Sequence, residues 1–233
     1  MELRGKLIIA ADDYGIRETS KPILELAQKG LLDRVAVFSG RVTDDDMQAL
    51  LRTGVAIDIH LELINLLKSG HEDAQRSVLK RGMHFLIRRF IGSVSTEKVR
   101  TEWRRQIVLF RDRFGRLPDG LNSHEHVHYF PEFFPIVAEL AKEFGIEYVR
   151  LGRYGVIKAT RGGLTAKILS LCSKTTRKTF FTSGRVTSDW VTSFDWFANT
   201  EEFVEILSDP KYSNVEVVFH PERPHEKAVL QTW

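Results

Sequence analysis

Short apolar runs alternate along this chain with longer stretches in which apolar side chains recur at helical spacing. "KLIIAA", "DRVAVFSG", "VAIDIHLEL", "IEYVRLG" and "NVEVVFHPE" predict strands, and "LNSHEHVHYF" a short strand or strand end. "RETSKPILELAQKG" predicts a helix stopped by Gly30, and "TDDDMQALLRTG" a helix capped by Thr43 and closed by Gly54. From Ser95 a longer helix sets Val99, Trp103, Ile107, Phe110 and Phe114 on one face and ends at "LPDG". "PEFFPIVAELAKEFG", "LTAKILSLCSK" and "TEEFVEILSD" read as helices, the last capped by Thr200. "KTFFTSGRVTSDWVTSFDW" reads as a strand and a long loop, and the basic region 66–94 as helix with a long loop.

Alternating strands and helices predict a parallel sheet with helices outside it. About six or seven strands are countable, short of the eight of a regular barrel. No G-x-G-x-x-G follows the first strand, which removes the main reason to expect a dinucleotide fold. The expected fold is an irregular, distorted (β/α) TIM-like barrel with parallel strands, one domain over residues 1–233.

Composition narrows the picture without redirecting it. The 233 residues are 42% hydrophobic, enough for one sizeable core. A net charge of +3, from 34 basic and 31 acidic residues, does not argue for nucleic acid. Around Lys80–Arg89 the pattern suits a solvated helix face, and His71, His84 and His225 read as surface residues. One cysteine, Cys172, forbids an internal disulfide and suits a reducing cytoplasm. No signal peptide or membrane span is expected, and a homodimer is left open.

Metal-competent side chains gather where the apolar runs stop. Asp12 and Asp13 follow the first, His60 ends the third, His124, His126 and His128 sit in "SHEHVH", and His220 follows "VEVVF". Read alone, an Asp-Asp before Tyr-Gly is turn chemistry and a strand histidine is a core residue. Read together they gain weight, because the carboxyl ends of parallel strands share one face, where active sites form. Alternation in an extended segment would send His124, His126 and His128 to the same side, where a metal or carboxylates would offset their burial. One carboxylate with two imidazoles leaves a divalent ion open positions for water and a substrate oxygen. A neighbouring carboxylate could then act as base, and an imidazole could protonate a leaving amine.

"ADDYG", "IHLEL", "NSHEHVHYFPEFFPIVAELAKEFGI", the "VR" after it and a late "HP" together resemble the YdjC-like family, which includes chitooligosaccharide and hopanoid-associated deacetylases. The resemblance runs over about residues 6–150 and 215–222. It implies an irregular (β/α) barrel and metal-dependent removal of acetyl from an N-acetylated sugar. Carried over by position, Asp13, His60 and His124 match metal ligands, Asp12 the general base and His220 a general acid. Arg150 matches an arginine that orients the base or contacts substrate, while His126 and His128 fall in the histidine-rich motif, with second-sphere or substrate contacts. Some positions depart from the pattern: Asn122 stands where an Asp is usual, Asp58 where a glycine is usual, Asn65 where a Thr is usual, and Tyr14 is the aromatic after the two aspartates. The implied cofactor is zinc or magnesium. Two other readings stand beside the deacetylase. One is a metal-dependent hydrolase of a phosphoester or cyclic amide; the other is a non-catalytic carbohydrate-binding relative.

Overall fold

The computed structural model describes residues 3–67 and 94–232. Most of the basic region 66–94, with His71, His84 and Lys80–Arg89, lies outside those residues. Eight parallel strands form one curled sheet, a half-barrel with helices packed outside it. They are β1 (Leu7–Tyr14), β2 (Arg34–Val37), β3 (Ala56–Leu61), β4 (Gly120–Ser123), β5 (Tyr148–Val149), β6 (Gly155–Val156), β7 (Trp190–Ser193) and β8 (Val215–Phe219). Their order is β5-β4-β3-β2-β1-β8-β7-β6, so β1 is central and β5 and β6 are the two edges. An isolated bridge joins Tyr148 of the edge strand β5 to Val186, in the segment that leads into β7. The distorted barrel expected from the pattern is therefore the architecture found. The strand count exceeds the expectation because β6 has two residues, too few to show a period; β5, expected in "IEYVRLG", is equally short.

The helices are α1 (Arg17–Gln28), α2 (Asp44–Leu51), α3 (Ile64–Leu67), α4 (Thr96–Phe114), α5 (Phe134–Phe144), α6 (Gly163–Ser183), α7 (Thr200–Leu207) and α8 (Pro224–Gln231). Thr43 caps α2 and Ser95 caps α4 through side-chain oxygens that accept the Asp46 and Lys98 N–H groups. All five residues of the expected α4 face are buried. The cap of α7 is Asn199, not Thr200: its Oδ1 accepts the Glu202 N–H at 2.8 Å. The segment read as strand and loop opens as the last turns of α6, which runs on to Ser183; the loop and the strand β7 follow as expected. After β8 the chain adds α8, where no element was expected, and His225 on it is exposed as predicted.

The sheet has two unlike faces. Ile9, Val35, Val37, Ile57, Ile59, Leu121, Val149, Val215, Val217 and Phe219 belong to the apolar core shared with the helices. The alternate positions carry Asp12, Arg34, Asp58, His60, Asn122, Tyr148, Arg150, Thr192 and Glu216 inside the curl. Each buried aliphatic on the outer face contributes about 1.5–3 kcal/mol. The inner charges would be costly unless paired, and they are paired. Arg34 holds Asp58 through two bonds, Nε to Oδ2 at 2.8 Å and Nη2 to Oδ1 at 2.5 Å. Its guanidinium lies 3.9 Å from the Tyr148 ring centre. Gly120 makes room for this pair: a Cβ there would fall 2.6 Å from both Arg34 Nη2 and Asp58 Oδ1.

Candidate active site

Strict alternation along β1 would send Asp13 to the apolar face, opposite Asp12. The strand prevents this. Ala11 pairs with Val35 and Tyr14 with Val37, so β1 carries one extra residue there, a bulge. Asp13 takes a left-handed backbone conformation, φ 68°, which a non-glycine residue adopts at a cost. Its carbonyl accepts the Thr19 hydroxyl at 2.5 Å, which helps hold the turn. The two neighbouring aspartates thus reach different surroundings on the same side of the sheet.

Asp13 meets two histidines. His60 Nε2 lies 3.2 Å from Asp13 Oδ1, and His124 Nδ1 lies 3.0 Å from the same oxygen. One ligand atom from each of the three residues lies within 4.8 Å of the others, so this group could hold a metal ion. Two imidazoles and a carboxylate are the donor set of an open divalent site. Phe38 walls the site, with its ring edge-on to His60 at 4.8 Å and to His124 at 5.5 Å between centroids. Burial works against charge on Asp13, but His124 and His60 outweigh it and keep the carboxyl well below its ordinary range. Burial likewise opposes charge on His124, and Asp13 reverses the balance upward.

Asn122 sits behind His60, its Oδ1 2.5 Å from His60 Nδ1. With Nδ1 donating to that oxygen, Nε2 is left free to face Asp13. The side-chain nitrogen of Asn122 is buried without a partner. The departure from Asp therefore keeps the orienting bond to His60 and gives up a charge.

Asp12 is buried and clamped. Arg150 Nη1 and Nη2 donate to its two oxygens at 2.7 and 2.9 Å, while Arg150 Nε donates to Glu216 Oε1 at 2.6 Å. Glu216 also accepts the Tyr148 hydroxyl at 2.5 Å. Burial would raise the Asp12 pKa, but Arg150 outweighs it and keeps the carboxyl far below its ordinary range. Arg150 is itself fully enclosed. Its two bonded carboxylates, Asp12 and Glu216, are buried with it.

The histidine cluster does not form the expected extended row. Glu125 (φ 53°) and His126 (φ 53°) are left-handed, and His124–Tyr129 curls into a 3₁₀ segment instead of continuing β4. This breaks the alternation and separates the three rings. His124 reaches Asp13. His126 turns toward Tyr129 and Trp196, and its Nδ1 is buried without a partner. Burial, with Arg150 nearby, lowers the His126 pKa to about 4. His128, expected among the substrate-facing residues, is fully buried, and both ring nitrogens are taken by the protein. Its Nδ1 is 2.7 Å from Ser123 Oγ and its Nε2 is 2.7 Å from the Arg150 carbonyl oxygen. Burial holds it neutral.

His220 stands just past β8, on the other side of β1 from His60 and His124. Its backbone N–H donates to Glu226 Oε2 at 2.7 Å, and its Nδ1 is buried without a hydrogen bond. Around it stand three carboxylates that the motifs did not suggest. Asp195 accepts the Ser193 hydroxyl at 2.6 Å and Arg223 Nη1 at 2.9 Å. Burial raises its pKa, but Ser193, His220 and Arg223 together bring it below its ordinary range. Burial pushes Glu222 up, against the pull of His220. Glu226 is fully buried against Arg223 at 2.9 Å. A cavity of about 400 Å³ opens on this flank, lined by Arg161, Phe194, Asp195, Phe197, Asn199 and Arg223 among others. Glu216 had a readable signal, a carboxylate inside the apolar run "VEVVF"; Asp195 and Glu222 had none.

Residues 6–232 match the family described as YdjC-like protein. A chitooligosaccharide deacetylase of Escherichia fergusonii is 31% identical over 159 residues, 64% of this chain and 60% of that protein. The match thus spans three-fifths of that relative's length. A candidate cellobiose-phosphate cleavage protein from Enterococcus faecalis shares the fold, with TM-score 0.60, 22% identity, and coverage of 92% of this chain and 80% of that one. So does a lactam utilization protein from Thermus thermophilus, with TM-score 0.56, 14% identity, and coverage of 97% and 94%.

Proposed function

Because this chain belongs to the YdjC-like family, we propose that it is a metal-dependent carbohydrate deacetylase, hydrolysing the acetamide of an N-acetylated sugar to acetate and amine. The observation that carries this reading is one juxtaposition on the strand ends. A three-donor cluster, Asp13, His60 and His124, stands beside a second aspartate that an arginine keeps ionised. The chitooligosaccharide deacetylase relative supports the substrate class.

Asp13 Oδ1, His60 Nε2 and His124 Nδ1 would hold the ion, and two nitrogen donors favour zinc over magnesium. A bound divalent ion supplies polarisation of the acyl oxygen and acidification of water. Asp12 takes the proton of the attacking water, and Arg150 fixes the direction of its lone pairs. His220, across β1, hands a proton to the leaving nitrogen. His126 stays neutral near pH 7 and lines the interior behind the base. A reducing compartment such as the cytoplasm suits the single, buried Cys172.

Acetate release from a panel of N-acetylated mono- and oligosaccharides tests the proposal, run with chelator and with added zinc or magnesium. Metal-restored acetate release supports it. Phosphate release from sugar phosphates, with no acetate from any N-acetyl sugar, would move the site to another hydrolase class. Sugar binding with neither metal nor turnover would leave a non-catalytic binder.

A further inference from the structure

Helix α6 is apolar on two opposite sides. Its inner side buries Ala166, Leu169, Cys172, Thr176 and Phe180 against the rest of the protein. Its outer side exposes Leu164 (66%), Ile168 (40%) and Leu171 (65%), spaced as one helical stripe, with Phe181 (57%) farther along. Among the described residues, half of the large exposed hydrophobics lie on this one helix. Such a stripe on a surface helix marks a contact with something beyond the described residues.

The charges around it say what that contact is. Residues 151–188 contain eight Lys and Arg and no Asp or Glu, in a chain of 34 and 31 overall. The remainder of the chain is therefore net acidic. Lys167, Lys174 and Lys178 are exposed on α6 beside the apolar stripe. A second copy docked stripe to stripe would bring lysines against lysines. Protein interfaces in general are poor in lysine. A helix with large apolar side chains flanked by lysines, and free of carboxylates, fits the boundary of an anionic bilayer. Each lysine near such a surface adds about fivefold in partitioning.

We propose that α6 is an interfacial helix that lays this protein on an anionic lipid surface. It does not span the bilayer: among the described residues no helix is long and apolar enough. The helix starts at the rim that carries the candidate site. The N–H groups of Arg161 and Gly162 both donate to the Trp196 carbonyl just past β7, and Arg161 also lines the cavity that Asp195 and Arg223 line. Lipid contact at Leu164 would bring that rim close to the headgroups. The proposal is independent of the deacetylase reading.

Flotation with vesicles of phosphatidylcholine alone, or mixed equally with phosphatidylglycerol, tests it on the full chain. Binding should be at least about tenfold stronger to the anionic vesicles and should fall steeply between about 0.1 and 0.5 M salt. Leu164→Glu/Leu171→Glu should lose about tenfold or more, as should Lys167→Glu/Lys174→Glu, with circular dichroism and thermal midpoint unchanged. Wild-type protein that ignores anionic vesicles overturns the proposal, and so does binding that neither variant weakens. Light scattering supplies a third outcome. A dimer abolished by Leu164→Glu/Leu171→Glu, without vesicle binding, assigns the stripe to a second copy and also overturns it.

Discussion

On one face, β8 presents Val215, Val217 and Phe219 to the helices; on the other it presents Glu216 and then, just past its end, His220. β1 and β3 repeat the division, with Ile9 and Ala11 against Asp12, and Ile57 and Ile59 against Asp58 and His60. The outer face is held by non-directional burial, which tolerates a shift of a few tenths of an ångström. The inner face is held by directional pairs among Asp12, Arg150, Glu216 and Tyr148, and between Arg34 and Asp58. Buried ion pairs often add little net stability over apolar packing of the same shape. The inner face therefore fixes where groups point, and the outer face supplies most of the stability.

That division can be broken from either side. Arg150→Met would leave Asp12 and Glu216 buried without their cation. It should cost about 3–5 kcal/mol in denaturant unfolding and abolish acetate release. If the variant retains wild-type activity, the inner pairs do not orient the base. Asp12→Asn keeps the shape and removes the charge. Turnover should fall by about 10²–10⁴ while metal content, read by elemental analysis, stays at the wild-type level. Outside, Ile59→Ala should cost about 2–5 kcal/mol of stability and leave turnover below the melting range unchanged. A proportionate loss of turnover would mean that the two faces are not separable.

Two finer tests sharpen the contrast. His126 has its pKa lowered to about 4, below an unfolded value of about 6.5. In that window the unfolded chain binds the extra proton. The stability that neutral His126 contributes is thus complete above about pH 6.5 and is lost as pH falls toward 4. His126→Gln should flatten the stability profile there by about one proton, at most about 1.4 kcal/mol per pH unit. An unchanged slope in urea titrations would show that His126 is solvated. Asn122→Asp adds a carboxylate behind His60 and should tighten metal binding by about tenfold, measured by competition with a chelator. Weaker binding would mean that the added charge disturbs the neighbouring inner pairs.

The outer face was the legible part of the chain. Thr43, Ser95 and the Val99–Phe114 stripe announce helices because caps and apolar spacing are local signals. The convergence of Asp12, Asp13, His60 and His124 was also readable, since parallel strands bring their ends together. What sequence could not supply was backbone conformation against propensity. Nothing in "SHEHVH" states that Glu125 and His126 are left-handed, so the row of three histidines dissolves into a ligand candidate, an interior ring and a buried brace. The bulge before Tyr14 is equally silent, although it sets which side of the sheet Asp13 serves. Asn199 took the cap from Thr200 because both residues are competent caps and the turn geometry chose between them.

Gly120 ties three inner positions into one unit. A side chain there would strike the Arg34–Asp58 pair, and Asp58 without Arg34 would be a buried charge with no bonded cation. The three positions depend on one another: Asp58 has a bonded cation only with Arg34 present, and the pair has room only with glycine at 120. Glycine at position 58 would remove one of the three groups that crowd position 120 and leave Arg34 and the Tyr148 ring against it, so loosening this corner takes more than one change.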